Sequence, residues 1–375
     1  MTTPIYMDYN ATAPIRDSVI EMVSLAMQTV GNPSSVHTAG RSVRRLVEEA
    51  RVKVAALAGC RVRDVTFCSG GTEASNAVIR GSGAASIIIS AVEHECGFAA
   101  SKHAGVPTYV VEVDRKGLVD QNKLREMLRE APAPALVSVM LANNETGIIQ
   151  PVREIADIAH EFGARMHTDA VQAAGKTPID FNALGADYLT LSSHKVGGPQ
   201  GVGAIITAPT APLAPLVAGG GQELGRRSGT ENVAGIAGFG VAALEAMDDL
   251  ADMNRIGALR ERFEADVTSH ANNVCLIGLE SPRTANTSCV AMPGVKGETQ
   301  VMHFDLNGIF LSSGSACSSG KVKVSHVLSA MGYEDDTANA SIRVSLGRLT
   351  TESDVDALIK AWISLYDRTA ARVNS

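Results

Sequence analysis

ALVSVMLANNETGIIQPVREIADIAHEFGARMHTDA, residues 135–170, contains one complete repeat of the fold. ALVSVML (135–141) and ARMHTDA (164–170) are short, mostly apolar runs; between them VREIADIAHEF (152–162) sets Ile155, Ile158, Ala159 and Phe162 on one helical face. A strand, an amphipathic helix and a second strand in that order form a crossover that lays the two strands side by side in parallel.

The same texture extends outward. VTF (65–67), SIIIS (86–90), DYLTLSS (187–193) and GVGAIIT (201–207) are further apolar runs, and continuous rather than alternating strands suit a sheet covered on both faces. Between Gly40 and Gly59, Val43, Leu46, Val47, Ala50, Val54 and Leu57 recur at helical spacing, and the glycine closes the helix. Past about residue 255 the pattern changes: a charged helix (RIGALRERFEADV) precedes separate strand-like pieces, NTSCVAM (286–292) and SIRVSLG (341–347). Thr350 to Asp367 reads as a last amphipathic helix, with Thr351 and Asp354 spaced as a capping box. The expectation is an α/β chain, largely parallel, followed by a smaller α+β domain.

The 375 residues are 45% hydrophobic and 19% charged with a net charge of −7, as in an ordinary globular protein, and an acidic chain is a poor nucleic-acid binder. No run of about eighteen apolar residues occurs, and MTTPIYMDYNATAP has neither a basic region nor an apolar core, so no membrane span or leader is expected and the cytoplasm is the expected location. Cys60, Cys68, Cys96, Cys275, Cys289 and Cys317 show no CxxC or zinc-like spacing; neither a disulfide framework nor a metal site is expected, and any cysteine with a role acts singly.

Three segments carry chemistry at the ends of the expected strands. SGGTEASN (69–76) follows a strand and opens a helix, so the amides beyond Gly71 and the Thr72 hydroxyl make an anion site. HTDAVQ (167–172) puts Asp169 where open α/β sheets bind ligands, although a helix cap is the plainer role. SSHKVGGPQG (192–201) puts Lys195 at the equivalent edge, and a desolvated lysine amine is the side chain that forms Schiff bases with carbonyls. A phosphate cradle, an aspartate and a lysine on successive strand ends together match the needs of pyridoxal phosphate. His94, in AVEHECG, is placed to stack on a ring or exchange protons, or to serve structure; Arg343, in SIRVSLGR, is suited to clamp a carboxylate, or to form a surface ion pair. GGGQELGRRSGTEN (219–232) is a surface loop of a kind found near phosphates or subunit contacts.

Taken in order, MDYNATAP, GNPSSVHTAGR, SGGTEASN, the EH pair at 93–94, NNETG (143–147), HTDAVQ, SSHKVGGPQG, GGGQELGRRSGTEN, SSGSAC and SIRVSLGRLTTE resemble the cysteine desulfurases of the NifS/IscS type, class-V aminotransferases of the aspartate-aminotransferase-like fold type I. The likeness runs from about residue 5 to about 365. It implies a mainly parallel seven-stranded sheet in a large cofactor-binding domain, 15–255, and a small domain made of 1–14 with 256–375. It also implies that Lys195 holds the pyridoxal phosphate aldehyde, His94 stacks on the ring, Asp169 pairs with the ring nitrogen and Gln172 bonds the ring oxygen. Gly71, Thr72, Ser192 and His194 would hold the phosphate, with Thr230 arriving from the second subunit of a homodimer. Asn144, beside the cofactor, and Arg343 would bind the carboxylate of L-cysteine, and Cys317 would take its sulfur as a persulfide.

SSGSACSSG (312–320) is of the longer-loop class in that family, and glycine and serine predict a mobile segment able to reach the ring and then an acceptor protein. His94 or the substrate amine is the expected proton acceptor for the thiol. Ala13 stands where a second threonine is frequent, and LYDRTAARVNS lacks the scaffold-docking tail of housekeeping members, which leaves the acceptor open between iron-sulfur assembly, nitrogenase maturation and tRNA thiolation. Two other readings remain: a selenocysteine lyase using the same residues, and a thiol hydrolase built on Cys317 and His94.

Overall fold

The computed structural model describes residues 4–271, 273–314 and 324–373, the last four by their backbone only. Its strands are β1 (Ile5–Tyr6), β2 (Val65–Cys68), β3 (Ser86–Ser90), β4 (Thr108–Val111), β5 (Ala135–Ser138), β6 (Arg165–Asp169), β7 (Tyr188–Ser192) and β8 (Gly203–Thr207). They continue as β9 (Cys275–Ile277), β10 (Thr287–Ala291), β11 (Ile309–Phe310), β12 (Ser312–Ser313) and β13 (Ser341–Ser345).

Seven of them form one sheet in the order β2-β8-β7-β6-β5-β3-β4. Only β8 runs against its neighbours, so the sheet is mainly parallel, as expected. The apolar runs are strands because both faces are covered: every residue of β2, β3, β5, β7 and β8 is buried. The expected crossover helix occupies Val152–Glu161 and buries Ile155, Ile158 and Ala159. The helix read from Gly40 is Thr38–Ala58, ended by Gly59 in the left-handed region at φ 62°. It packs on Val233–Asp248, which also packs against Asp17–Gln28.

A four-stranded antiparallel sheet, β12-β13-β10-β9, carries a second core around Met7, Phe263, Val290, Phe304, Val344 and Trp362. Helices Met253–His270 and Glu352–Val373 cover it. The capping box is present: the Thr351 amide donates to Asp354 Oδ2 at 2.9 Å, and the Asp354 amide to Thr351 Oγ1 at 3.2 Å. The helix runs six residues beyond the expected Asp367, to Val373. Met7 belongs to this second core, and Asp8 bridges to Ser345 beside β13; Asn10, two residues on, faces the seam between the cores.

Candidate active site

The carboxyl ends of β2, β3, β5, β6 and β7 share one sheet edge, and a cavity of about 250 Å³ opens there. Gly71, Thr72, His94, Asn144, Asp169, Gln172, Ser192, His194 and Lys195 all line it. Sequence positions far apart converge because each follows a strand that ends at this edge.

Gly70 precedes the helix Gly71–Gly81 at φ 151°, ψ −178°, a conformation open to glycine and not to side chains. A Cβ on Gly71 would lie 3.0 Å from Val171 Cγ2 and 3.7 Å from Ser192 Cβ, so the glycine backbone is set close against these two side chains. Beside it stands His194, whose Nδ1 contacts Thr12 Oγ1 at 3.2 Å and whose pKa burial and then the Lys195 charge bring down to about 4. A neutral imidazole, two hydroxyls and free helix amides form a donor set suited to a phosphate.

Asp169 is 8% exposed; its Oδ1 accepts the Val171 amide at 2.8 Å. Burial raises its pKa, while that amide, His94 and Lys195 pull the other way. A buried carboxylate that lines a cavity needs a cationic partner, and a protonated ring nitrogen supplies one. Lys195 Nζ donates to the backbone oxygens of Asn10 at 2.5 Å and Ala11 at 2.9 Å. A Schiff-base lysine, a carboxylate for the ring nitrogen and a phosphate cradle thus meet in one cavity, and the residues fit pyridoxal phosphate.

His94 caps the helix Glu95–Lys102: its Nδ1 accepts the Cys96 amide at 3.2 Å. In the neutral ring the proton is therefore on Nε2, and burial lowers the pKa and favours that neutral form. His94 consequently presents an N–H donor toward the cavity. This corrects the expectation that it could take the thiol proton, since the nitrogen able to accept one is held by the backbone.

Arg343 is 2% exposed and does not line the cavity. Its Nη1 donates to the Asn144 carbonyl at 3.1 Å and its Nη2 to Asp8 Oδ1 at 2.6 Å; Nε finds no partner among the described residues. Asp8 Oδ2 also accepts Ser312 Oγ at 2.7 Å, tying the start of the cysteine-bearing segment to the same carboxylate. Removing that carboxylate leaves a buried guanidinium uncompensated. Asp8→Ala is expected to cost about 3–5 kcal/mol of stability, read as a fall in the urea midpoint; a midpoint within the scatter of the parent would show the pair to be dispensable.

Cys317 lies outside the described residues, as does most of 312–320. Beyond the gap, Ser325 Oγ donates to Glu145 Oε2 at 2.5 Å and His326 Nε2 contacts the Glu93 carbonyl at 2.9 Å. The described end beyond the gap is thus bonded to sequence neighbours of the cavity residues Asn144 and His94, and the end before it to the Asp8–Arg343 pair. Asp8, Glu145 and His326 were missed by sequence reasoning, although Glu145 sits in the quoted NNETG. Cys96 was also missed: it lines the cavity, and burial and then Asp169 push its thiol up to about 12. Thr230 is exposed and is not part of this cavity.

The family profile of class-V aminotransferases matches residues 5–358. An IscS-like cysteine desulfurase of Mycobacterium tuberculosis is 40% identical over 370 residues, 95% of this chain and 94% of that one. A cysteine desulfurase IscS of Dictyoglomus turgidum is 41% identical over 95% of this chain and 93% of its own. Among solved structures, a NifS-like protein from Rickettsia africae superposes with a TM-score of 0.89 at 37% identity, covering 97% of this chain and 99% of that one. Its motifs, its sheet and these full-length likenesses agree: the chain belongs to the class-V aminotransferase family and, within it, to the cysteine desulfurases of the NifS/IscS type.

Proposed function

We propose that this chain is a pyridoxal-phosphate-dependent cysteine desulfurase that converts L-cysteine to L-alanine and collects the sulfur on Cys317 as a persulfide. The observation that carries this reading is the meeting of Lys195, Asp169 and the Gly71–Thr72 cradle in one cavity, with the described end beyond the Cys317 segment bonded to Glu145 beside it.

Bound in the cavity, pyridoxal phosphate supplies an electron sink for the carbanion at the substrate α-carbon. Asp169 keeps the ring nitrogen protonated, and Gln172, His94 and the cradle of Thr72, Ser192 and His194 orient the group. Lys195 would hold the aldehyde, and its Nζ, when free, would move the α-proton. Asn144 and Arg343 take the substrate carboxylate. For Arg343 this means sharing its fork with Asp8, which now holds one end of it. The balance is closed without an outside oxidant: the Cys317 thiolate attacks the substrate sulfur, the S–S bond forms as the C–S bond breaks, and the carbon keeps the electron pair and is protonated to alanine.

A thiol hydrolase using Cys317 and His94 requires an imidazole nitrogen free to accept the thiol proton, and the capped Nδ1 of His94 disfavours it. The substrate amine is left as the thiol's proton acceptor. We place the working unit as a homodimer; the exposure of Thr230 and of Met27, Val30, Val36 and Leu224 supports a subunit contact that brings Thr230 to a second cavity. The sulfur passes from Cys317 to an acceptor protein, with an iron-sulfur scaffold as the candidate.

The test is direct. The purified protein reconstituted with the cofactor is expected to be yellow and to form alanine and sulfide in equal amounts from L-cysteine under reducing conditions. A colourless protein, or a yellow one that makes pyruvate and not alanine, sinks the reading. A rate with selenocysteine far above that with cysteine would reassign the substrate.

A further inference from the structure

A second lysine, Lys176, ends beside Lys195 at the seam between the two cores. Its Nζ donates to Gln172 Oε1 at 2.6 Å and to Asn10 Oδ1 at 2.8 Å. No carboxylate pairs with it among the described residues. Two neutral oxygens are poor compensation for a desolvated ammonium, which normally sits against an acid. Burial, and then the charges of Lys195 and Arg343, hold its pKa well below that of an ordinary lysine. Tyr9, Arg16, Asp249 and Arg348 face it across a small cleft behind Lys195. In either protonation state the amine has at least two hydrogens to give, and both are used.

The consequences are geometric. The Asn10 carbonyl can only accept, so it draws Gln172 Nε2 toward itself and leaves Oε1 facing Lys176, which donates to it. Gln172 Nε2 then points the other way: one hydrogen goes to the Asn10 carbonyl at 2.9 Å, and the other faces the cavity that Gln172 lines. The same Asn10 carbonyl accepts Lys195 Nζ. The Asn10 side chain is fixed in turn by Lys176 and Asn286 on its oxygen and by the Asn144 carbonyl and Thr287 Oγ1 on its nitrogen.

We propose that Lys176 is a positioning residue of the cofactor site: by pinning the Gln172 amide and the Asn10 side chain, it sets the donor offered to the cofactor's ring oxygen and the carbonyl that seats the Lys195 amine. This inference rests on the cofactor reading above. A donor on the ring oxygen competes with that oxygen's own hydrogen bond to the nitrogen contributed by Lys195, and so makes that nitrogen easier to deprotonate. Losing the donor has the opposite effect.

The experiment is a pH titration of the visible band of the resting holoenzyme, without substrate, in the parent, Lys176→Met, Gln172→Ala and the double variant. K176M is expected to move the midpoint up by on the order of one pH unit. Q172A is expected to move it similarly, and the double variant no further than Q172A, because Lys176 acts through Gln172. If K176M does not fold, K176A, which leaves room for water, is read in the same way. A midpoint in the Lys176 variant equal to the parent's, or shifts that add in the double variant, would falsify the proposal. A parent that binds no cofactor overturns the cofactor reading instead, so the two failures are distinguishable.

Discussion

Lys195→Ala lowers the formation of alanine from L-cysteine by about 10⁴-fold or more, because two tasks fall on one nitrogen. Lys195 lines the cavity and its Nζ is held by the carbonyls of Asn10 and Ala11, which suits the two roles proposed for it, fastening the cofactor and carrying the α-proton. His94 cannot substitute for it: its Nδ1 accepts the Cys96 amide, and its other nitrogen carries a proton in the neutral ring. The fold should survive, since neither carbonyl is buried against apolar side chains alone and water can replace the amine. The measurement is alanine release together with the absorbance of the reconstituted variant. Turnover within tenfold of the parent would remove Lys195 from the chemistry.

The second large effect is that of Cys317→Ser. Sulfide release is expected to fall by on the order of 10³-fold or more, while the visible band of the bound cofactor and its response to added cysteine persist. A serine hydroxyl is not appreciably ionised at neutral pH, so the substrate sulfur finds no nucleophile. The remaining thiols do not fill the place. Cys96 is the one that lines the cavity, and its pKa of about 12 leaves almost no thiolate. Cys68 and Cys60 are pushed to about the same value, both chiefly by burial. Sulfide release near the parent's rate would transfer the persulfide to another residue, and Cys96→Ala in the same background would identify or clear the nearest candidate.

Much of this site is legible from one-dimensional pattern. The strands announce themselves because both faces of the sheet are covered, which makes ALVS, SIIIS and YLTLS unbroken apolar runs, and the catalytic motifs follow because polar residues at strand ends have few other uses. β4 escaped that test. TYVV is an edge strand with its first three residues exposed, and PTYVVEV has neither a long apolar run nor a helical period. The last helix was read too short because its end has no glycine or proline to mark it; the apolar stripe fades before the hydrogen bonding does.

The sequence by itself determined the fold class, the family and most of the polar residues that line the cavity, since each rests on local periodicity or on a motif contiguous in the chain. Tertiary structure alone decided how those residues are held. Lys176 meets Asn10 from 166 residues away, and Asp8 meets Arg343 from 335 residues away. The proton position on His94 depends on a backbone amide that no motif specifies. Hydrogen bonds between distant segments exist only after the two cores have closed the seam around MDYNATAP, and their partners have no periodicity by which a linear reading could pair them.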